Sequence, residues 1–399
     1  MQDDCITIKL RLPEVRVMQV EEGKQQITVE VQYRALSAPC PRCGQRCPKV
    51  HSVSKQNKRD QGLWNKVVYL VLHKRRFRCL GCKKVFSEPD PVFGSRRRSS
   101  QRFRQHLGDT AMHQTIRHTA HKEMVGEGLV RRCFTEEAAR LLGAVAPQSS
   151  RVLGVDEFSI KKGHVYDTAI MDIEHKQVLG VVSGRGQKSV EAFLDRLPDR
   201  EAIEAVVMDM HEPFRQAVEL CLPGAKVVAD KFHVITHVNQ ALDQVRIGLQ
   251  AKGDKKKELF RRRYLLLKGA ERLTEENKER LERLFFNYPE LAVAWALKER
   301  FRRWYRLDTR EEAEAELAQW EESVRQHGPA SFHKLFSMLR DWREEILNYF
   351  DHRYTNGFVE GKNNRIKVIK RLAYGYRNRE NFRQRIMLTN VTDNHPKVA

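Results

Sequence analysis

Two short apolar runs that each end in an aspartate constrain the fold of this chain more than any other feature. Asp156 lies in Val-Leu-Gly-Val-Asp-Glu-Phe, and Asp209 lies in Ala-Val-Val-Met-Asp-Met-His. Runs of this kind, rich in β-branched residues, are typical of buried strands. A third acid, Glu360, opens a segment that is rich in lysine and arginine and is predicted to be helical. Two strand-borne acids and one helix-borne acid predict a site for divalent metal ions.

The patterns around the first two acids predict the topology of one domain. From residue 151 to 229 the order is β-β-β-α-β-α-β, which is that of a ribonuclease H-like α/β domain. This order places the ends of the first and fourth strands side by side, so Asp156 and Asp209 are expected to converge. Glu157 is expected to face the other side of the sheet, because successive strand residues alternate. The pattern from Val234 to Tyr349 is helical throughout and predicts an all-α insertion.

The helix that begins near Glu360 is predicted to present one polar face. Asn363, Asn364, Lys367 and Arg371 follow Glu360 at helical spacing, which makes them candidates for DNA contact. Taken alone, Glu360 is better explained as a capping residue of an amphipathic surface helix. Beside two strand-end aspartates it is predicted to be a metal ligand.

Hard cations such as Mg²⁺ or Mn²⁺ suit this set of acids, because they prefer carboxylate oxygen and water. Two such ions ~3.5–4 Å apart can activate a nucleophile and stabilise a leaving oxyanion in phosphodiester chemistry. Asp156 is expected to bridge both ions, whereas Asp209 and Glu360 each serve one. Asp230, which also follows a strand, is an alternative to Asp209 as the second acid.

Two Cys-x-x-Cys pairs predict a second metal site. Cys40 and Cys43 form one tight loop and Cys79 and Cys82 another, and four thiolates in two loops suit tetrahedral, structural Zn²⁺. The stretch 44–78 between the loops is longer than in most zinc ribbons. A pair of buried free thiols is the alternative, and Cys47 or His51 are alternative ligands.

The charge of the chain predicts a polyanionic partner. The sequence has 73 Lys and Arg against 52 Asp and Glu, a net charge of +21. Residues 42–104 alone hold 18 basic and 3 acidic side chains. Such an excess favours salt-dependent binding of phosphate, whereas surfaces that only need solvation usually mix both signs.

The segment that follows the cysteine loops is predicted to be a helix-turn-helix-like bundle. Helices are expected at Gln101–His113, Thr115–Val125 and Leu129–Leu142. An ordinary three-helix bundle with a glycine turn gives the same pattern. Cations of the entry loop and of the last helix are the candidate DNA contacts: Arg96, Arg97, Arg98, Arg131 and Arg132.

These patterns predict a multidomain α+β protein with four parts. They are an N-terminal zinc-binding β module (1–90), the helix-turn-helix-like bundle (91–148), the ribonuclease H-like catalytic domain (149–235 and 352–390) and its all-α insertion (236–351). No run of 18 apolar residues occurs, so no membrane span is expected. Cysteine use suited to metal rather than to disulfides predicts a reduced intracellular compartment.

Several long motifs resemble those of bacterial insertion-sequence DDE transposases of the ISL-three family, over nearly the whole chain. The most specific are Val228-Ala-Asp-Lys-Phe-His-Val, Asn356-Gly-Phe-Val-Glu-Gly-Lys-Asn-Asn-Arg-Ile-Lys and Lys370-Arg-Leu-Ala-Tyr-Gly-Tyr-Arg-Asn. Gly154-Val-Asp-Glu-Phe and the two cysteine loops belong to the same set. The resemblance implies a zinc finger, a helix-turn-helix and a DDE catalytic domain interrupted by helices.

The resemblance also implies an activity. It implies binding to the terminal inverted repeats of an insertion sequence, then strand cleavage and strand transfer into target DNA. Asp156, Asp209 and Glu360 match the catalytic positions. Asp230 and His233 resemble an Asp-x-x-His signature beyond the second acid, where His233 is expected to be a proton relay, a phosphate contact or a packed structural residue.

Two other functional classes fit the same residues. One is a catalytically silent regulator that keeps only the DNA-binding modules, and the other is a structure-specific nuclease of the same fold, acting on RNA or DNA junctions. A homodimer is expected for a transposase, since two element ends must be paired.

Overall fold

In a computed structural model, the chain forms two compact units, Met1–Val145 and Ala146–Ala399. The structure describes residues 10–94, 97–144, 150–161, 165–252, 256–373, 375–376 and 378–392. Arg96, one of the predicted DNA contacts, lies outside these residues.

The first unit is built on a twisted sheet with strand order β1-β2-β6-β5, with β7 paired to β6. Its strands are β1 (Val15–Glu22), β2 (Gln26–Tyr33), β3 (Ala38–Pro39), β4 (Arg46–Cys47), β5 (Val50–Leu63), β6 (Lys66–Arg78) and β7 (Val85–Ser87). β2 and β6 run parallel, and β3 and β4 form a separate short pair. Apolar side chains that alternate along β2 and β6, such as Val31, Leu70 and Leu72, are fully buried and form the core.

A long hairpin explains the unusual spacing between the two cysteine pairs. β5 and β6 pair antiparallel over almost their whole length and are joined by Trp64 and Asn65. Both turn residues have positive φ, 49° and 61°, as a two-residue turn matched to strand twist requires. The extra residues between the loops therefore form a β-ribbon that begins and ends beside the cysteines.

Three helices complete the first unit: α1 (Gln101–His113), α2 (Ile116–Lys122) and α3 (Glu127–Gly143). Ser100 and Thr115 cap the first two, since their hydroxyls accept the amides of Phe103 and His118. α2 is shorter than the sequence predicts, because the chain turns left-handed at Met124, with φ 52°. α1 packs against α3 through Phe103, Leu107 and Val130, which are fully buried.

The second unit contains a five-stranded sheet with order β10-β9-β8-β11-β12. The strands are β8 (Val152–Lys161), β9 (Val165–Asp172), β10 (Gln177–Ser183), β11 (Ala205–Met208) and β12 (Lys226–Ala229). β8, β11 and β12 are parallel, while β9 and β10 run antiparallel as a meander. This arrangement sets the carboxyl end of β11 beside the middle of β8, which continues to Lys161.

Helices cover both faces of this sheet. α4 (Gln187–Leu194) and α5 (Glu212–Cys221) pack together on one face, over Leu153, Val155 and Val206. α15 (Gly357–Leu372) and α16 (Arg379–Thr392) pack with Phe158, Ala169 and Val178 in a separate cluster. α4 begins at Gln187, and Gly186 occupies its N-cap position.

The region between β12 and α15 is helical, as the sequence predicts. Its helices are α6 (Lys231–Lys252), α7 (Lys256–Arg261), α8 (Arg263–Leu267), α9 (Glu275–Asn287), α10 (Pro289–Trp304), α11 (Arg310–His327), α12 (Ala330–His333), α13 (Leu335–Asp341) and α14 (Arg343–His352). Trp304 and Trp320 lie in its core and donate to backbone oxygens of Ala313 and Leu297. Their burial fits packing rather than base stacking. Among the described residues, none of the helices is long and apolar enough to cross a membrane.

Candidate active site and zinc centre

The four predicted zinc ligands converge in the first unit. The Sγ atoms of Cys40 and Cys82 lie 3.5 Å apart, and those of Cys43 and Cys79 lie 3.6 Å apart. All four lie within 4.8 Å of one another. A disulfide is much shorter, whereas a tetrahedron with Zn–S bonds of about 2.3 Å has S–S edges of about 3.8 Å. The donor set therefore fits one zinc ion.

The two cysteine loops share one backbone design. In each loop the amide of the first cysteine bonds to a carbonyl five residues on, Cys40 to Gln45 and Cys79 to Lys84, both at 2.9 Å. The residue after each second cysteine is left-handed: Gly44 at φ 75° and Lys83 at φ 61°.

The loop geometry also favours thiolate at one ligand and leaves the alternative cysteine outside. The backbone amide of Cys82 lowers the pKa of Cys79 to about 6, which favours the metal-binding form. Cys47, by contrast, is buried outside the group of four, with its Sγ 3.2 Å from the Gln45 carbonyl.

The first two predicted catalytic acids lie on neighbouring parallel strands, with Asp156 inside β8 rather than at its end and Asp209 directly after β11. Val155 of β8 pairs with Met208 of β11, so Asp156 and Asp209 follow at the same level. Burial, and then the negative charge of Asp209, raise the pKa of Asp156 to about 7. Ionising Asp156 in this position, beside Asp209, is therefore unfavourable in the absence of a cation.

α15 lies directly against β8 beside these acids. A Cβ on Gly154 would lie 2.4 Å from Cγ2 of Val359 and 3.2 Å from Oδ1 of Asn356, so only glycine permits this approach. As a result, Nδ2 of Asn363 donates to Oδ2 of Asp156 at 2.5 Å. Asn363 is 3% exposed.

Glu360 lies one turn before Asn363, in the first turn of α15, and its side chain is exposed. Within the described residues, the groups of three or more ligand atoms close enough to hold a metal include neither Glu360 nor Asp156. The structure thus brings Asp156 and Asp209 together and places Glu360 on the adjacent helix, facing solvent.

His233 joins the two alternative second acids. Its Nδ1 lies 2.7 Å from Oδ1 of Asp209 and 3.0 Å from Oδ2 of Asp230. Hydrogen bonds that the His233 ring donates to the carboxylates of Asp209 and then Asp230 raise the pKa of His233 to about 10, so the imidazolium is favoured. These three side chains form the second described group with metal-ligand spacing. Asp230 is buried and Asp209 half-buried, so Asp209 is the more accessible of the two acids.

A cavity of about 210 Å³ opens beside this triad, at the carboxyl edge of the sheet. Its lining consists of Glu157, Asp209, Met210, His211, Phe214, His233 and His237. Burial lowers the pKa of His211 and of His237, which favours neutral imidazoles there. Sequence reasoning did not select His211 or Glu157. The signal for His211 was its position two residues after a strand-end aspartate.

The predicted DNA contacts differ in accessibility. Those that are exposed are Arg97, Arg98, Arg131, Arg132, Asn364, Lys367 and Arg371. Arg97 lies 3.4 Å from Glu136 in a partly solvated ion pair. Asn363 differs from the rest, because it is buried against Asp156 rather than available to an incoming phosphate.

The chain is similar to known transposases. A family model of ISL3-type DDE proteins, described as "Transposase", matches residues 153–386, more than half of the chain. The chain belongs to the ISL-three transposase family. A second model, described as "zinc-finger of transposase IS204/IS1001/IS1096/IS1165", matches residues 37–82, which include all four zinc-site cysteines.

Individual members of the transposase family match over long stretches. The chain is 30% identical over 378 residues to "Transposase for insertion sequence element IS1001" of Bordetella parapertussis, covering 92% of each protein. It is 26% identical over 284 residues to "Transposase for insertion sequence element IS1557" of Mycobacterium tuberculosis, covering 62% of this chain and 64% of that protein. The family resemblance and the zinc finger predicted from the motifs are confirmed. The mixed α+β character of this transposase is confirmed as well.

Proposed function

We propose that this transposase binds the terminal inverted repeats of its insertion sequence and catalyses DNA strand cleavage and strand transfer into target DNA. The catalytic groups are Asp156, Asp209 and Glu360. The observation that carries the proposal is the pairing of β8 with β11, which sets Asp156 beside Asp209 in a member of a transposase family.

The acid pair fits divalent cations, Mg²⁺ or Mn²⁺. Asp156 is half-buried and lies close to the charge of Asp209, so a divalent cation held by the two acids would relieve both unfavourable effects. Asp156 would bridge two ions, and Asp209 and Glu360 would each hold one. When bound, the ions supply Lewis-acid stabilisation to the attacking and leaving oxygens.

The third acid needs a local movement in this proposal. Glu360 and Asn363 are three residues apart on α15 and therefore share a face. Since Asn363 already contacts Asp156, rotation of the Glu360 side chain toward the sheet brings its carboxylate near the acid pair. In that rotamer Glu360 would help to hold a cation, while the contacts of Asp209 with His233, and of His233 with Asp230, keep the second acid in place.

The sheet order supports a ribonuclease H-like catalytic domain. The meander β8–β10, followed by two parallel strands on the far side of β8, has the order 3-2-1-4-5. The all-α region then separates β12 from α15, as in a catalytic domain interrupted by an insertion. The parts proposed from the sequence remain 149–235 with 352–390, and 236–351.

The first unit is proposed to recognise the element ends. Zinc held by Cys40, Cys43, Cys79 and Cys82 is structural, because all four positions of a tetrahedron are filled by thiolates. α1–α3 are proposed to act as a helix-turn-helix, with Arg131 and Arg132 near the start of α3 directed to DNA. A homodimer is proposed for the complex with two ends.

A cleavage assay on the DNA that flanks the gene tests the proposed transposase activity. Purified protein is incubated with Mg²⁺ or Mn²⁺ and with a supercoiled plasmid that carries the coding sequence with its genomic flanks. We expect nicks at the borders of the element, mapped by primer extension, and no nicks in a plasmid that lacks the flanks. Tight binding without nicking under any metal condition indicates a regulator, and preferred cutting of RNA or of DNA junctions indicates a structure-specific nuclease.

A further inference from the structure

We propose that the zinc-bearing end of the first unit is a docking surface for the phosphate backbone of duplex DNA, and that it holds DNA without reading its sequence. We call this surface the knuckle face. It consists of six exposed cations: Arg42, Arg46, Lys49, Arg76, Arg78 and Lys83. The inference rests on the proposed function and adds which surface of the protein supplies sequence-independent affinity.

The knuckle face carries one sign of charge. No acidic residue occurs between positions 40 and 59 or between positions 61 and 87. Asp60, which separates the two stretches, is fully buried and bonded to Ser100 and Arg102. A surface that serves only solubility usually mixes both signs, whereas a uniformly positive one attracts a polyanion.

The strands set several of these cations in a row. Arg76 and Arg78 are two residues apart on β6, so they share one face of the sheet. Arg76 pairs across with Ser52 of β5 and with Ser87 of β7. The amide of Arg78 donates to the carbonyl of Lys49 at 3.1 Å, which places Lys49 beside it. Arg76, Arg78 and Lys49 are therefore neighbours on this part of the sheet, and Ser52 and Ser87 flank Arg76 on its two sides.

Each knuckle loop adds cations to the same end of the unit. Arg42 lies between the two cysteines of the first loop, and Arg46 lies on the short strand that follows it. Lys83 follows the second loop, at the left-handed position. Since the four thiolates hold both loops together, these cations are gathered by the metal site itself.

The cations of the knuckle face differ from other cations of this sheet in their partners. Within the described residues, none of the six forms an ion pair, although other basic side chains of the same sheet do. Those pairs are Lys55–Glu30, Lys66–Glu22, Lys74–Asp90 and Arg75–Glu88. Cations without protein partners repel one another, and phosphates that replace their counterions relieve that repulsion.

The shape of the surface argues against base reading. A major groove of about 12 Å admits one helix or a two-stranded ribbon. Arg76 and Arg78 stand on β6, with β5 on one side and β7 on the other, and the cysteine loops lie at the same end. A surface of three strands and two loops is too wide to enter the groove. Contacts from such a surface reach phosphates, and phosphate contacts position a protein without specifying sequence.

Salt dependence of DNA binding tests the knuckle face. Full-length protein is titrated by fluorescence anisotropy with a labelled duplex from the genomic flank of the gene, and with a shuffled duplex of equal length and composition. Each phosphate contact contributes about 0.9 to the slope of log K against log salt. The test variant combines Arg76→Gln with Arg78→Gln, and the control combines Lys55→Gln with Lys66→Gln, whose lysines are already paired. Circular dichroism and zinc content confirm that each variant is folded.

We expect the arginine variant to lose about 1.8 from the slope, two contacts' worth, with equal fold-loss of affinity on both duplexes. The lysine control should keep the wild-type slope. An unchanged slope in the arginine variant overturns the docking surface. A loss confined to the flank duplex overturns the claim that the face does not read sequence. Failure of wild-type protein to nick the flank plasmid is a separate result, which concerns the proposed function alone.

Discussion

At the scale of single residues, Asp156 is the group on which the proposed chemistry depends most. Replacing it with asparagine keeps its size and removes the charge that would bridge two cations. We expect strand cleavage to fall by more than about 10²-fold, because metal-based stabilisation is worth several kcal/mol. DNA binding should stay within about twofold, since phosphate docking uses other residues. Asp195→Asn, which removes an exposed acid paired with Arg200, is the control for charge. Equal loss of cutting and binding in Asp156→Asn contradicts the assigned role.

Asn363 is a positioning residue in this structure, although its sequence position suggested DNA contact. Its amide donates to Asp156 from a buried position. We expect Asn363→Ala to lower cleavage by about 10–100-fold and to weaken Mn²⁺ binding measured by calorimetry, as loss of a metal ligand's orienting partner does. Asn364→Ala, an exposed neighbour bonded to Lys367, is the matched control. If Asn363→Ala instead reduced DNA affinity and left Mn²⁺ affinity normal, Asn363 would be a DNA contact and not a positioning residue.

At the scale of elements, the contact of α15 with β8 depends on Gly154. A methyl group there meets Val359 at 2.4 Å, so the helix must shift. We expect Gly154→Ala to lower the free energy of unfolding by about 1–3 kcal/mol, and to reduce cleavage because Asn363 and Glu360 move with the helix. On the same helix Gly361 has open space around it, and Gly361→Ala should add about 0.5–1 kcal/mol. Urea denaturation measures the free energy of unfolding of both variants. If Gly154→Ala and Gly361→Ala changed that free energy in the same direction and by the same amount, the argument from the contact of α15 with β8 would be wrong.

The two cysteine loops form a second element whose integrity depends on one ion. We expect Cys79→Ala to lose the zinc, measured by elemental analysis, and to weaken DNA binding because structural zinc supplies folding energy. Cys47→Ala should keep one zinc per chain, since that thiol lies outside the group of four. Loss of zinc from Cys47→Ala, with Cys79→Ala unaffected, assigns the ligands differently.

At the scale of the whole molecule, each unit has a core of its own. Leu70, Leu72 and Phe93 belong to the core of the first unit, whereas Trp304 and Trp320 lie in the second. We expect a protein of residues 1–145 to unfold cooperatively and to bind duplex DNA, while cutting none. A fragment that is unfolded with zinc present shows that the first unit needs the rest of the chain.

Sequence patterns predicted the parts of this molecule that depend on local periodicity. The strand that contains Asp156 and the strand that precedes Asp209 were predicted because short β-branched runs are typical of buried strands. The order of the strands predicted that the two acids lie together. Four cysteines in two loops predicted the zinc group for the same local reason. Element ends were less well predicted: α2 stops early at Met124, whose left-handed backbone leaves no signal in composition.

What the sequence left undetermined depends on contacts between distant elements. The burial of Asn363 follows from the register of α15 on β8, and that register depends on Gly154, two hundred residues earlier. Periodicity places Asn363, Asn364 and Lys367 on one face but does not say which of them meets the sheet. The cavity with His211 and His237 arises in the same way, from residues of α5, α6 and two strand ends that no single window contains.

The ribbon formed by β5 and β6 places the Trp64–Asn65 turn far from the four zinc-site cysteines of the same unit. Strands of this length extend about 40 Å at ~3.3 Å per residue, so the Trp64–Asn65 turn is remote from the thiolates at the other end. Chemical labelling at the turn should therefore leave the zinc occupancy of the cysteine loops unchanged. A single introduced cysteine at Asn65 could carry a fluorophore, and its emission would then show whether the far end of the ribbon meets DNA.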